Sequence, residues 1–284
     1  MTLITVIIPT YKDWKRLALC LEALGRQTVG PNNLQVLVVD NDPQGEPANI
    51  AVPAFARIVK ERKPGSYAAR NRALSLAEGR YLAFTDSDCI PADDWLENAL
   101  AILERQPGVR VTGPVSIFRT EATSYLAFLY EFHTAFRQED NARKGVCVTA
   151  NLVVARETFD KVGIFNDNLM SGGDFEWNKR AQDLGIALMY APGVLINHPS
   201  RDSLKEILRK RKRIARSDAT KGNHTALSYL SRQLRPPLNS LKSGRKYNGV
   251  HEVLILWLVL LSFNLYSAVQ FLLVRTGVYS PTRS

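Results

Sequence analysis

Short apolar runs alternate with longer amphipathic stretches through the first half of the chain. Leu3 to Ile8, Leu34 to Val39, Arg57 to Val59 and Tyr81 to Thr85 are rich in Val, Ile and Leu and read as buried strands. Helical patterns near 14–26 and 66–78 lie between them. This alternation predicts an α/β fold, with a mainly parallel central sheet and helices on both faces. Ligands of such sheets bind beyond the carboxyl ends of the strands, where the strand order switches. Polar residues at strand ends are therefore the candidates: Pro9-Thr10-Tyr11, Asp40-Asn41-Asp42 and Asp86-Ser87-Asp88. After Val115 the rhythm weakens. Tyr125, Phe128, Leu129, Phe132 and Phe136 recur at helical spacing and predict a helix with a core-facing stripe. Asn151 to Arg156 predicts a further strand, and Ser171-Gly172-Gly173-Asp174 a helix start.

A second apolar pattern occupies the C-terminal part. Val253 to Val274 is a 22-residue run interrupted only by Ser262, Asn264, Ser267 and Gln270. A helix of that length crosses a hydrocarbon core of about 30 Å; a buried or interfacial helix is the alternative. Lys242, Arg245 and Lys246 precede it, and Arg275 and Arg283 follow. The positive-inside tendency then predicts that the main domain faces the cytoplasm, at a bacterial inner membrane. Leu204, Ile207, Leu208, Ile214 and Ala215 fall at helical spacing within a cationic surface of Arg209 to Arg213 and Arg216. Such a helix suits the lipid headgroup layer, or its arginines fold back on a diphosphate.

Charge changes the expected partner. The formal net charge is +10, but residues 201–250 alone hold 14 Lys or Arg against Asp202, Glu206 and Asp218. The rest of the chain is close to neutral. A basic segment leading into an apolar run predicts anionic membrane lipids as the partner and no nucleic acid. Cys20, Cys89 and Cys147 are odd in number and widely spaced, so neither a disulfide framework nor a zinc site is indicated. The first residues open into a strand pattern without the charged start of a signal peptide, which adds to the cytosolic expectation.

Asp86 and Asp88 offer two hard oxygen donors at a strand end, a pattern that suits Mg2+ or Mn2+. An acidic turn, or a helix cap near Asp93, is the structural alternative. The wider context decides between them. Val6-Ile7-Ile8-Pro9-Thr10-Tyr11, Val38-Val39-Asp40-Asn41-Asp42, Gly65-Ser66-Tyr67-Ala68-Ala69-Arg70-Asn71, Asp86-Ser87-Asp88 and Gly172-Gly173-Asp174-Phe175-Glu176-Trp177 follow one another in register. Together they closely resemble the family 2 glycosyltransferases of GT-A fold over residues 3–200.

The resemblance implies an inverting transfer from a nucleotide-diphosphate sugar, a UDP- or GDP-sugar, to an acceptor hydroxyl. It implies that Pro9, Thr10 and Tyr11 border the nucleobase and ribose, that Asp40 bonds the base, and that Arg70 lies in the donor pocket with Asp86, Ser87 and Asp88. Asp88 matches the main metal ligand, Asp86 a contact to ribose or to metal-bound water, and Asp174 the catalytic base. His198 is a further metal candidate, with a purely structural histidine as the alternative. Gly173, Glu176 and Trp177 are the candidate acceptor contacts, with helix packing as the alternative for the last two. The implied organisation is a catalytic domain over 1–200, nucleotide-sugar-binding to 115 and acceptor-binding from 116. A basic amphipathic membrane-proximal segment over 201–249, a transmembrane or membrane-embedded helix over 250–275 and a tail over 276–284 follow.

The base also follows from chemistry. Inversion requires one carboxylate to take the acceptor's proton while charge on the leaving diphosphate is compensated elsewhere. In the first turn of a helix the anion of Asp174 is favoured, so it is expected to be ionised near neutral pH. The bland reading is a capping pair of Ser171 with Asp174. Three departures from the commonest family pattern stand out: Gly173 replaces a Glu, Asn41 replaces a second Asp, and the Gln-x-x-Arg-Trp motif of processive synthases is absent. They argue for single additions, to a lipid-linked or glycan acceptor given the membrane segment. The competing readings are a sugar-phosphate nucleotidyltransferase, which normally carries an early Gly-rich phosphate loop not seen here, and a non-catalytic scaffold on the same fold.

Overall fold

The computed structural model describes residues 3–45, 50–220, 225–234 and 247–278. The chain forms two compact units, one of Met1–Ser116 with Phe136–His198, the other of Ile117–Ala135 with Pro199–Ser284. Segment 117–135, expected within the acceptor-binding part, thus folds with the C-terminal helices.

The first unit is built on a seven-stranded sheet. In chain order its strands are β1 (Ile4–Thr10), β2 (Leu34–Asp40), β3 (Ala56–Lys60), β4 (Tyr81–Phe84), β6 (Arg110–Thr112), β8 (Leu152–Ala155) and β9 (Leu188–Tyr190), arranged β3-β2-β1-β4-β8-β6-β9. The first four strands are parallel, and β8 runs antiparallel between β4 and β6. The chain winds outward from β1 through β2 to β3 and then returns to the other side of β1 as β4. The switch in strand order therefore lies between β1 and β4, where ligand crevices open in such sheets.

Strand β1 shows why its run carries apolar residues on both faces. Ile4, Val6 and Ile8 face helices α1 (Trp14–Gly25) and α3 (Trp95–Arg105) in one core, packed with Leu17, Leu21, Leu24, Trp95 and Leu96. Ile7 faces the other core, with Leu37, Val39, Leu82 and Phe84. That second core is closed by α2 (Ser66–Leu74), α6 (Arg156–Val162) and α7 (Gly173–Asp183), which contribute Tyr67, Phe159 and Trp177. Each fully buried aliphatic side chain contributes about 1.5–3 kcal/mol. A small second sheet has the order β5-β10-β7, from Ile90–Pro91, Ile196–Pro199 and Val115–Phe118. Here β10 pairs antiparallel with β5.

Boundaries differ from expectation where tertiary contacts intervene. Strand β1 continues to Thr10 because its ladder with β2 runs on to the pair Thr10 and Asp40. Helix α2 stops at Leu74, short of the expected 78. The backbone N–H groups of Glu78 and Gly79 instead donate to Thr5 Oγ1 of β1, and a Cβ at Gly79 would collide with the Ile4–Thr5 backbone. Arg156 begins α6, its side chain donating to Gly79 O.

In the second unit, α4 (Tyr125–Thr134) is capped by Ser124 and buries Ala127, Leu129 and Tyr130. Phe136 lies outside this helix, with φ 48°, so the expected stripe ends early. It packs in the first unit, against His198. Helix α5 (Gln138–Ala142) follows in the first unit. Helices α8 (Leu204–Thr220), α9 (Ala226–Leu234) and α10 (Val250–Arg275) are the others of the second unit among the described residues. By length and composition α10 is long and apolar enough to cross a membrane. One of its faces packs Leu256, Leu260 and Phe263 against α4 and Ile207 of α8. Three of the four polar residues that interrupt the apolar run serve α8: Arg211 donates to Ser267 Oγ at 2.9 Å, Asn264 Oδ1 at 2.8 Å and Phe263 O at 3.2 Å, whereas Ser262 donates to Leu258 O. Arg216 likewise reaches Gln270. The opposite face leaves Leu254, Trp257, Leu258, Leu261, Leu265 and Val269 exposed in one row. Lys242, Arg245, Lys246 and Arg283 lie outside the described residues.

Candidate active site

The parallel register of β1 and β2 sets Thr10 beside Asp40 at the mouth of the crevice. Both are buried, at 2% and 1% exposure. Asp40 Oδ1 accepts from the Asp42 N–H at 3.0 Å, while Asp40 Oδ2 and Thr10 Oγ1 have no hydrogen-bond partner. Orphaned buried polar atoms are rare because each forfeits its hydration without return. Two neighbours in that state leave hydrogen-bonding capacity unused at the ends of β1 and β2. Pro9 is half-buried and Tyr11 exposed at the rim.

Asn41 explains one departure from the family pattern. Its amide donates to Glu61 O at 2.9 Å and Lys63 O at 2.8 Å, and its oxygen accepts from Gly65 N at 2.7 Å. A carboxylate has no donor for the two carbonyls. Asn41 thereby pins the loop that leads through Gly65, φ +129°, into α2, the helix that carries Tyr67 and Arg70.

The two acids after β4 have different partners. Asp86 Oδ1 pairs with Arg70 Nη2 at 2.6 Å. Asp88 Oδ2 lies 3.2 Å from His198 Nε2, because the β5–β10 pairing brings His198 alongside, and Phe136 packs on the imidazole at 4.7 Å. Ser87 between the acids is buried. Asp88, Cys89 and His198 have ligand atoms within 4.8 Å of one another. Cys89 is fully buried; burial, with Asp88 and Asp86 nearby, pushes its thiol far up. A carboxylate oxygen with an imidazole nitrogen suits Mn2+ and tolerates Mg2+, whose preference is for oxygen. Of the expected ligand set of Asp86, Asp88 and His198, the last two lie together with Cys89, while Asp86 pairs with Arg70.

Helix α7 carries Asp174 in its first turn. Its N-cap is Gly172, left-handed at φ 74°, with no side-chain cap bond, so the alternative capping pair of Ser171 and Asp174 is not formed. Asp174 Oδ1 instead accepts from the Phe175 N–H at 3.0 Å and from the Tyr67 hydroxyl at 3.1 Å. Burial raises the pKa of Asp174 above its ordinary range. The Arg70 cation and the two hydrogen bonds oppose the rise, and Asp86 adds to it. The helix start was expected to dominate; desolvation outweighs it. A carboxyl moved toward neutral pH is a stronger base.

Two of the three acceptor candidates lie packed against other parts of the protein. A Cβ on buried Gly173 would lie 2.7 Å from the Tyr67 ring, so the space beside this glycine is filled by protein. Trp177 is 0% exposed, stacked on Phe159 at 4.5 Å, and its indole N–H donates to Gly163 O. It packs the core. Glu176 is half-exposed and binds Arg180 through both carboxylate oxygens, at 2.7 and 3.2 Å.

Sequence reasoning missed the residues that hold this geometry. Tyr67 is one. Arg110 of β6 is another: it is fully buried, and its guanidinium donates to Ile186 O, to Gly145 O and to the carbonyl and side chain of Asn178. Asn178 in turn donates to Asp174 O at 2.9 Å and Cys147 O at 3.1 Å, which locks the first turn of α7. A lone arginine in a short apolar strand carries no local pattern that reveals such a role.

Comparison with known proteins agrees with this architecture. Residues 5–163 match the model of "Glycosyl transferase family 2". Asp174 and His198 fall beyond that match. "Glycosyltransferase AglE" of Haloferax volcanii is 33% identical over 220 residues, which cover 75% of this chain and 72% of AglE. The pre-mycofactocin glycosyltransferase of Mycobacterium tuberculosis is 25% identical over 72% of this chain, which spans only 44% of that protein. Among solved structures, the mannosyltransferase PcManGT of Pyrobaculum calidifontis, in complex with GDP-Man and Mn2+, superposes with a TM-score of 0.54 at 19% identity, over 98% of this chain and 76% of PcManGT. S. aureus TarS 1-349 superposes at 0.55 and 15% identity, over 98% of this chain and 91% of that one. These likenesses show the GT-A fold. Parallel sheet, strand-end acids and relatives converge: the chain is a member of glycosyl transferase family 2.

Proposed function

We propose that this chain transfers a sugar from a nucleoside-diphosphate sugar to an acceptor hydroxyl, inverts the anomeric carbon and uses a divalent cation. The observation that supports this best is a continuous string of side chains within one unit. Asp86 pairs with Arg70 at 2.6 Å, the Arg70 guanidinium lies 5.6 Å from the centre of the Tyr67 ring, and Tyr67 bonds Asp174 at 3.1 Å. These contacts link the strand-end acid to the helix-borne acid and support a shared site.

In this reading the orphaned oxygens of Thr10 and Asp40 receive the nucleoside, with Pro9 and Tyr11 at the rim. Asp86 and Arg70 border the ribose and diphosphate, beside Ser87. Asp88 and His198 would hold Mn2+ or Mg2+, which when bound supplies positive charge to the departing diphosphate. Asp174 accepts the acceptor hydroxyl's proton as that oxygen bonds the anomeric carbon. The bond from that carbon to the diphosphate oxygen breaks, and its electron pair leaves with the nucleoside diphosphate. Because PcManGT was solved with GDP-Man and Mn2+, GDP-mannose is the first donor to test, beside UDP-sugars.

The proposal includes a lipid surface and a lipid-linked or glycan acceptor there, with the catalytic unit on the cytoplasmic side. Support comes from the exposed apolar row of α10 beside the cations of α8. If α10 crossed the bilayer with α8 attached, Arg211 and its cationic neighbours would enter the hydrocarbon, at about 2.5–3.5 kcal/mol each near the centre. An in-plane α10 keeps the pairing, with its leucine row toward the acyl chains and the α8 cations toward lipid phosphates.

The test incubates the protein with Mn2+, GDP- and UDP-sugars and a lipid extract, and identifies the glycosylated product by mass spectrometry. Asp174→Asn is expected to lower turnover by roughly 10²–10⁴-fold with donor KM little changed. Full transfer by that variant overturns the assignment.

A further inference from the structure

We infer that Tyr67 is the positioning residue for the base: its hydroxyl clamps one oxygen of Asp174 so that the other faces the acceptor, and Gly173 exists to let the ring reach it. This inference rests on the functional reading above and assigns that site a part which neither the motifs nor the relatives' names supply.

Three separate contacts fix the ring. The Gly173 backbone lies against it, so closely that any side chain at 173 would have to displace it. Phe165 packs at 5.9 Å and the Arg70 guanidinium at 5.6 Å. A ring so enclosed has little freedom, and its hydroxyl is aimed at Asp174 Oδ1. Burial and the nearby Asp174 push the phenol up, so it remains a donor at working pH. Both hydrogen bonds seen on the carboxylate fall on Oδ1, from Tyr67 and from the Phe175 N–H. Oδ2 is thereby left to the acceptor's proton. The missing side chain at 173, a departure from the usual pattern, acquires a physical reason: Gly173 and Tyr67 act as a pair, in which the glycine makes room and the tyrosine holds the base.

The charged and titratable groups that act on Asp174 are Arg70 and Tyr67 from α2 and Asp86 after β4; the Cys147 thiol also feels its charge. Of these only Tyr67 donates directly to the carboxylate. A donor hydrogen bond favours the anion, so its removal shifts the carboxyl's titration to higher pH.

Tyr67→Phe keeps the ring and its packing and deletes the hydroxyl. Titration of the Asp174 carboxyl carbon by ¹³C NMR, assigned with Asp174→Asn, requires no substrate. The midpoint is expected to rise in Tyr67→Phe, and also in Gly173→Ala, where Tyr67 is present but pushed aside. Release of nucleoside diphosphate from GDP-mannose and UDP-glucose with Mn2+ is expected to show kcat lowered roughly ten- to a hundredfold in Tyr67→Phe. Donor KM should stay within about twofold, and the acid limb of the kcat profile should move to higher pH. An unchanged midpoint, or a lower kcat with an unmoved acid limb, overturns the inference. If Asp174→Asn still releases nucleoside diphosphate at the full rate, the functional reading itself fails; an inactive Asp174→Asn beside an unaltered Tyr67→Phe removes only the role given to Tyr67.

Discussion

Asp174 is pulled in two directions: burial disfavours its anion, while Arg70, the Tyr67 hydroxyl and the Phe175 N–H favour it. The first influence wins, and the raised pKa has a consequence for stability. At a pH above the folded-state value the anion is less comfortable in the folded chain than in the unfolded one. The folded state then binds protons more readily, so this group's contribution to stability improves as pH falls through the window between the two values. Asp174→Asn removes the penalty, and its amide oxygen still accepts from Tyr67 and Phe175. A melting temperature above wild type at pH 8, with the difference shrinking toward pH 4, is the expected outcome by calorimetry. An equal or lower melting temperature at pH 8 would show that the anion is not penalised. Under the proposed role of Asp174 as base, this is stability withheld at a carboxyl that must stay reactive, a recurrent feature of catalytic sites.

At the scale of elements, the site depends on how α7 is seated. Arg110 bridges β6 to the carbonyls of Ile186, Gly145 and Asn178, and Asn178 returns a bond to Asp174 O. Burial lowers the pKa of this guanidinium, and it is satisfied mainly by carbonyls. Lysine has one compact ammonium and does not span that set. Arg110→Lys is expected to lose about 2–4 kcal/mol, read as a lower urea midpoint. It should also lower kcat without a matching change in donor KM, because α2 and the strand ends are untouched while α7 loosens. An unaltered midpoint would mean that α7 is seated by other contacts.

For the whole molecule, the second unit presents an apolar row on α10 and a cationic α8 beside it. If the in-plane reading holds, Leu258→Glu with Leu265→Glu on the exposed row should abolish sedimentation with vesicles containing anionic lipid. Circular dichroism should be unchanged, since neither residue belongs to the packed face. Binding of wild type should weaken in vesicles of neutral lipid alone. Retention of the double variant on vesicles, or indifference to lipid charge, contradicts the proposal.

The sequence by itself determined the parallel sheet, the strand-end acids and the family, because each is written locally. Strand runs, acidic turns and glycine-bearing motifs keep their meaning wherever the chain goes. The apolar C-terminal helix was legible for the same reason. What only the tertiary structure decided is which groups meet. Asp86 is bound to Arg70 while Asp88 is left with His198, 110 residues downstream, since strand β10 returns to pair with β5. Tyr67 meets Asp174 across 107 residues of sequence, and Trp177 is spent on the core. Segment 117–135 joins α8 and α10, where Asn264, Ser267 and Gln270 of the apolar run turn out to be partners for Arg211 and Arg216. Local pattern reports what a segment can bury; burial, orphaned oxygens and a shifted carboxyl come into being only when distant segments share one surface.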